Sequence, residues 1–244
     1  MPEWVSERDL LANGVRLFCL PHAGSGAAAF YRWKRLLPAG VSVCPVMLPG
    51  REIRIAEGAL LRVSEIVDAL HEAVKGSLDR PFAIFGHSMG ALLAFEWAQR
   101  IAGDGLRGPA CLFVSGRNAP HLPFRHRGLH KLADAEFVAE LNVRYGGVPE
   151  GFLEDADMRE FFLPILRADL EVVETYEYQV MEKLGVPVQA FAGVDDRSVS
   201  EDGLARWSEI TNGPFSVRRF PGDHFYHLGV GQAELLRVIA ETLG

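Results

Sequence analysis

Six apolar runs recur along the chain, at Val15–Leu20, Val41–Val46, Phe82–Phe85, Ala110–Val114, Val186–Ala192 and Phe215–Phe220. Each is nearly continuous in apolar side chains instead of alternating with polar ones, which is the pattern of parallel strands covered on both faces. Between most of them lie helical periods. Val63, Ile66, Val67, Leu70 and Val74 share one face of a stretch running to Leu78, and Ala91–Ile101 is rich in helix formers. Strands alternating with helices predict an α/β fold with a mostly parallel, doubly covered sheet.

One interval breaks this rhythm. From Asn118 to Leu184 no strand run occurs, and the pattern instead predicts helices near Asp134–Tyr145 and Met158–Tyr178. A stretch of this length is too long for a loop in a compact domain, so it is expected to form an inserted helical subdomain. The predicted organisation is a core in two parts, 1–117 and 185–244, with a helical insertion at 118–184.

Composition narrows the function classes. A chain of 244 residues, 48% hydrophobic, can bury one sizeable core. A formal charge of −7 argues against a general nucleic-acid binder, whose affinity comes from clustered Lys and Arg. The N-terminal MPEWVSERDLL lacks the apolar core of a secretory signal, and no stretch of eighteen apolar residues follows, so a soluble, cytoplasmic protein without membrane contact is expected. Cys19, Cys44 and Cys111 each sit in a strand-like run and read as small buried hydrophobes. No Cys-x-x-Cys pair occurs, and no metal is expected.

The chemistry centres on FGHSMGALLAF at Phe85–Phe95, where Gly86-His87-Ser88-Met89-Gly90 stands between a predicted strand and a predicted helix. A G-x-S-x-G turn in that context is a nucleophile elbow, which lifts the serine hydroxyl above the sheet. A serine hydroxyl needs a base, and the base needs a third group to orient it. His224, in the Gly-containing loop after the last strand, is the best base, with His227, three residues on and entering the last helix, as the runner-up. The acid is Asp195 or Asp196, in AGVDDRSVS after the fifth strand. Oxyanion donors are expected from the Met89 N–H and from the loop Pro21–Gly26, at Ala23 or Gly24. That glycine-rich loop has phosphate binding as its alternative reading, though it lacks the Lys-Ser/Thr ending of a P-loop.

With LFCLPHAGSGAAAFYRW, LPGREIR, FAIFGHSMGALLAFE, LPILRADLEVVETYEY and GDHFY in order along the chain, the sequence resembles the type II thioesterases of polyketide and nonribosomal peptide synthesis, a branch of the α/β-hydrolases. The resemblance implies Ser88 as nucleophile, His224 as base, Asp196 as acid, and an oxyanion loop at His22–Gly24. Val194 and Arg197 depart from the family's pattern around the acid, and Asp195 stays as the second choice. It further implies hydrolysis of stalled acyl groups from the phosphopantetheine thiol of an acyl or peptidyl carrier protein, with no enzyme-bound cofactor. The insertion would then form a lid, with Phe161, Phe162, Ile165, Leu166, Val172, Val173 and Tyr176 as candidate acyl-pocket residues. Rival readings are a chain-terminating acyl-carrier-protein hydrolase of fatty acid synthesis, an esterase of free small esters, and a catalytically silent binding module. Arg117, His121, Arg125, His126, Arg127, His130 and Lys131 form the chain's densest basic stretch and are a candidate docking patch for an acidic carrier.

Overall fold

The computed structural model describes residues 3–124 and 128–244. Six strands form one parallel sheet: β1 (Val15–Leu20), β2 (Val41–Pro45), β3 (Phe82–His87), β4 (Leu112–Ser115), β5 (Val188–Gly193) and β6 (Phe215–Phe220), in the order β2-β1-β3-β4-β5-β6. The helices are α1 (Glu7–Leu11), α2 (Trp33–Leu36), α3 (Val63–Val74), α4 (Met89–Gly103), α5 (Asp134–Arg144), α6 (Ala156–Glu174), α7 (Glu201–Ala205) and α8 (Gln232–Leu243).

Successive strand side chains point to opposite faces, and both faces are buried. Phe18, Leu20, Ile84, Val114 and Ala190 meet α3 and α4 on one side. Leu17, Cys19, Phe85, Phe113 and Phe191 meet Phe30, Trp33 and the apolar stripe of α8 on the other. Helix α4 is buried along most of its length, including Ala91, Leu92, Leu93, Ala94 and Phe95, as befits a helix enclosed by its neighbours. The expectation of full coverage fails at β6. Ser216, Val217, Arg218 and Arg219 are exposed on this edge strand, where the charged side chains discourage further strand pairing, whereas β2 at the other edge is buried throughout.

Between β4 and β5 the described residues build α5 and α6 and no strand of the sheet. The Asp155 side chain caps α6, accepting from the Asp157 and Met158 N–H groups at 3.0 Å each. Leu129, Phe137, Leu141, Phe152, Leu163 and Leu170 bury one another in a separate apolar cluster above the sheet.

Strand order locates the functional edge. The chain passes from β1 outward to β2, then returns to place β3 on the other side of β1. That reversal opens a crevice at the carboxyl ends of β1 and β3, where α/β sheets bind ligands. Leu20 at the end of β1 pairs in register with Gly86 of β3, so the loop after β1 and the turn after β3 emerge side by side. The approach there is too close for side chains. A Cβ on Gly90 would overlap the Leu20 carbonyl, and one on Gly86 would overlap the Gly90 carbonyl.

Gly90→Ala is therefore expected to destabilise the protein by about 3 kcal/mol or more, at the upper end of overpacking. Gly103→Ala, at a helical position with no heavy atom within 4 Å of the added Cβ, should instead gain about 0.5–1 kcal/mol. Urea unfolding of both variants checks this; wild-type stability in Gly90→Ala would contradict the close approach.

Candidate active site

Ser88 sits between β3 and α4 with φ 55° and ψ −111°, a conformation that non-glycine residues rarely adopt. The fold holds it there: the Ser88 N–H donates to the Ser115 carbonyl of β4 at 2.7 Å, while the flanking glycines permit the tight packing of strand on helix. Ser88 thereby reaches a cavity of about 480 Å³ that is also lined by His22, Ala23 and His224.

His224 comes from the loop after β6, and its Nδ1 lies 2.9 Å from Asp196 Oδ2, from the loop after β5. Both side chains are almost wholly buried. The Ser198 hydroxyl lies 3.0 Å from the same Nδ1 and donates to Asp196 Oδ1 at 2.6 Å, a contact the sequence reading missed. Burial opposes the Asp196 carboxylate. Its hydrogen bonds to the His224 ring and to Ser198 outweigh that penalty and hold its pKa below the usual aspartate value. Asp195 is exposed, and Asp223 accepts from the Phe225 N–H at 2.8 Å.

Three further imidazoles pack around His224. His87 stacks on His227 with centroids 3.8 Å apart, His22 lies 5.4 Å from His227, and His87 lies 4.8 Å from His224. Contrary to expectation, His227 does not enter the last helix. It is fully buried in the turn before α8, which begins at Gln232. Burial first, then the neighbouring imidazoles, pushes His87 and His227 well below the ordinary histidine value and His22 down to about 3. These three rings are neutral in the fold. His87 Nδ1 meets Ser115 Oγ at 2.7 Å, which in turn meets the Tyr226 hydroxyl at 2.6 Å.

The loop after β1 supplies candidate oxyanion donors. Met89 is the first residue of α4, whose leading N–H groups have no carbonyl partner within the helix. Of the two loop candidates, Gly24 has its N–H committed to Asp169 Oδ2 at 2.7 Å. Ala23 lines the cavity beside Ser88. The Ala27 and Ala28 N–H groups both donate to the Glu52 carboxylate at 2.9 Å. The Gly24, Ala27 and Ala28 amides are thus bonded to carboxylates and the Ser25 amide to the His22 carbonyl, which disfavours the phosphate-binding reading.

Of the proposed acyl-pocket residues, Phe162, Leu166 and Val173 line the cavity, joined by Tyr145, Phe152 and Leu170. Val172 belongs to the main core, Phe161 is exposed, and the Tyr176 hydroxyl donates to Glu96 Oε1 at 2.5 Å. The basic stretch does not form one outward patch among the described residues. Arg117 lines the Ser88 cavity, His121 pairs with Glu209 at 3.0 Å, and His130 pairs with the buried Glu174. Arg125, His126 and Arg127 lie outside the described residues. A second, more polar cavity of about 620 Å³ also reaches Ser88, Arg117 and Tyr145, and is lined by Asn118, Arg144, Arg197, Ser200 and Arg206.

Residues 15–243 match a family model described as a thioesterase domain. The chain is 44% identical over 215 residues to the gramicidin S biosynthesis protein GrsT of Aneurinibacillus migulanus, covering 88% of this chain and 84% of that protein. It is 38% identical over 243 residues to a Brevibacillus parabrevis protein named linear gramicidin dehydrogenase LgrE, covering 98% and 92%. Among solved structures it superposes on the type II thioesterase BorB from the borrelidin biosynthetic cluster with a TM-score of 0.87, at 35% identity, covering 99% of this chain and 98% of that one. The dehydrogenase in the second name finds no support in this chain's loop after β1, whose Gly24, Ala27 and Ala28 amides are held by Asp169 and Glu52.

The neutral histidine cluster makes a stability prediction. Unfolded histidines take up protons below about pH 6.5, whereas the buried rings do not until far lower, about 3 for His22. The unfolded state then binds more protons, so this stability is fully present above about pH 6.5 and is lost as pH falls. Each such ring steepens the decline by up to about 1.4 kcal/mol per pH unit. Urea unfolding between about pH 5 and 6.5 should show a shallower slope for His227→Leu than for wild type, by about one proton; equal slopes would mean that His227 is charged in the fold.

Proposed function

The chain belongs to the thioesterase family, and on that premise we propose that it is a type II, editing thioesterase. In this reading it hydrolyses stalled or aberrant acyl groups from the phosphopantetheine thiol of acyl or peptidyl carrier proteins in polyketide or nonribosomal peptide synthesis. One observation carries the proposal: Ser88 on its strained turn shares a cavity with His224, whose Nδ1 is bonded to a buried carboxylate. The names of GrsT and BorB support the biosynthetic setting.

The chemistry follows from these positions. His224 Nε2 takes the Ser88 proton as Oγ attacks the thioester carbonyl, and Asp196 holds the tautomer with the proton on Nδ1 and stabilises the imidazolium. The Ala23 and Met89 N–H groups donate to the oxyanion. Collapse expels the carrier thiol, protonated by His224, and leaves an acyl-Ser88 ester that a His224-activated water hydrolyses to the free acid. The neutral state of His22, His87 and His227 keeps like charge away from the imidazolium that forms on His224.

The two cavities that meet at Ser88 suit a substrate with two dissimilar arms. The acyl group fits the first, walled by Phe152, Phe162, Leu166 and Leu170, and the amide-bearing pantetheine arm fits the second, with Asn118 and Ser200 on its walls. Arg197 on the wall of the second cavity offers positive charge to an acidic carrier, whereas Arg144 and Arg206 are paired with Glu140 and Glu209.

Ser88→Ala should lower kcat by about 10⁶-fold without unfolding the protein, and a fluorophosphonate should label wild type at Ser88 alone. Asp196→Asn, which favours the wrong histidine tautomer, should cost about 10⁴-fold in kcat. Asp195→Asn, at an exposed side chain, should stay within about threefold of wild type. Assays on an acyl-carrier protein check all three; reversed effects of the two asparagine variants would reassign the acid.

A further inference from the structure

The inserted helix α6 does more than wall the cavity. Asp169, in its C-terminal half, forms a bidentate ion pair with Arg51, from Nη1 to Oδ2 at 2.6 Å and from Nη2 to Oδ1 at 2.7 Å. The side chains are only 6% and 2% exposed. Both partners also hold the loop after β1: Asp169 Oδ2 accepts from the Gly24 N–H at 2.7 Å, and Arg51 Nη1 donates to the Ser25 carbonyl at 2.8 Å. Glu52, the residue after Arg51, holds the same loop further along through Ala27 and Ala28. We propose that Arg51 and Asp169 are positioning residues for the oxyanion loop: by fixing the peptide that follows Ala23 they aim the Ala23 N–H at the oxyanion, so that transition-state stabilisation at Ser88 depends on a carboxylate carried by the inserted helix.

Removing two charges from water is expensive, and a buried ion pair often stabilises a fold no better than apolar residues of similar volume. Stability alone therefore gives little reason for this arrangement. Orientation gives a stronger one, because the planar guanidinium and the carboxylate lock together in a single geometry. An oxyanion donor displaced by a fraction of an ångström loses much of its value. The pair also couples two tasks, since Leu166, Leu170 and Val173 on the same helix line the acyl cavity. One helix thus touches the acyl group and restrains the loop beside the reacting carbonyl.

The inference rests on the thioesterase reading, and one set of measurements separates them. Wild type, Asp169→Asn, Arg51→Lys and the double variant Arg51→Met/Asp169→Leu are compared by kcat and KM on a small neutral acyl thioester, and by melting temperature. Affinity is measured for an acyl trifluoromethyl ketone, which forms an oxyanion on Ser88, and for the product acid, which does not. Positioning predicts kcat about 10²-fold lower with KM near wild type, a parallel loss of ketone affinity, and unchanged product affinity. The double variant should melt like wild type and stay slow. A double variant that regains wild-type kcat together with its stability would overturn the proposal, as would an Asp169→Asn variant with wild-type kcat and ketone affinity. If the double variant fails to fold, the near-isosteric Asp169→Asn decides by its ketone-to-product affinity ratio. A wild type unable to hydrolyse thioesters would instead sink the functional reading itself.

Discussion

The close approach of α4 to the end of β1 is the constraint on which the site depends. Two backbone segments meet where Gly90 faces the Leu20 carbonyl, with no room for a Cβ between them. The contact forces the sharp turn at Ser88, and Ser88 takes a positive φ to complete it. It also brings the loop after β1 beside the turn after β3, at the point where strand order reverses. A serine, a helix N-terminus and a loop rich in backbone amides then share one crevice. Only an enclosed, rigid sheet can hold backbone that close, which explains the apolar packing of both faces around β1 and β3.

Around this backbone frame, charge is distributed with economy. His224 alone of the four packed imidazoles has a carboxylate against its ring, at 2.9 Å. Its neighbours, the fully buried His87 and His227 and the half-buried His22, lack such a partner and are held neutral. Desolvation thus sets three of these chemically identical side chains apart from the one that meets a carboxylate. The same low-dielectric setting strengthens the Asp196–His224 bond and raises the penalty for any stray charge nearby.

The insertion contributes through α6, two of whose carboxylates, Asp169 and Glu174, are buried against the rest of the chain. Asp169 reaches Arg51 and the loop after β1, while Glu174 accepts from the Gly128 and Leu129 N–H groups at 2.9 and 3.0 Å and anchors the start of the insertion. The Arg62–Glu171 pair at 2.9 Å ties the outer face of α6 to the segment before α3. The C-terminal half of α6 is therefore fastened to the core by polar contacts, while its apolar residues shape the cavity.

The sequence by itself determined the elements whose causes are local. Strand runs, the amphipathic α3, the glycine-flanked serine and the histidine loop each declare themselves through neighbours a few residues apart, and β1 and β6 fall at the bounds their apolar runs predict. Tertiary structure decided what depends on segments far apart in the chain. Geometry put Asp196, and not Asp195, against His224; it committed the Gly24 amide to Asp169; it turned His227 into the core and Arg117 toward the cavity. Arg51 and Asp169, 118 positions apart, carry no mutual signal in their local sequence. Periodicity and turn chemistry act over one or two turns of chain, whereas the partner of a buried charge is selected by the packing of the whole fold, which alone determines which groups are removed from water together.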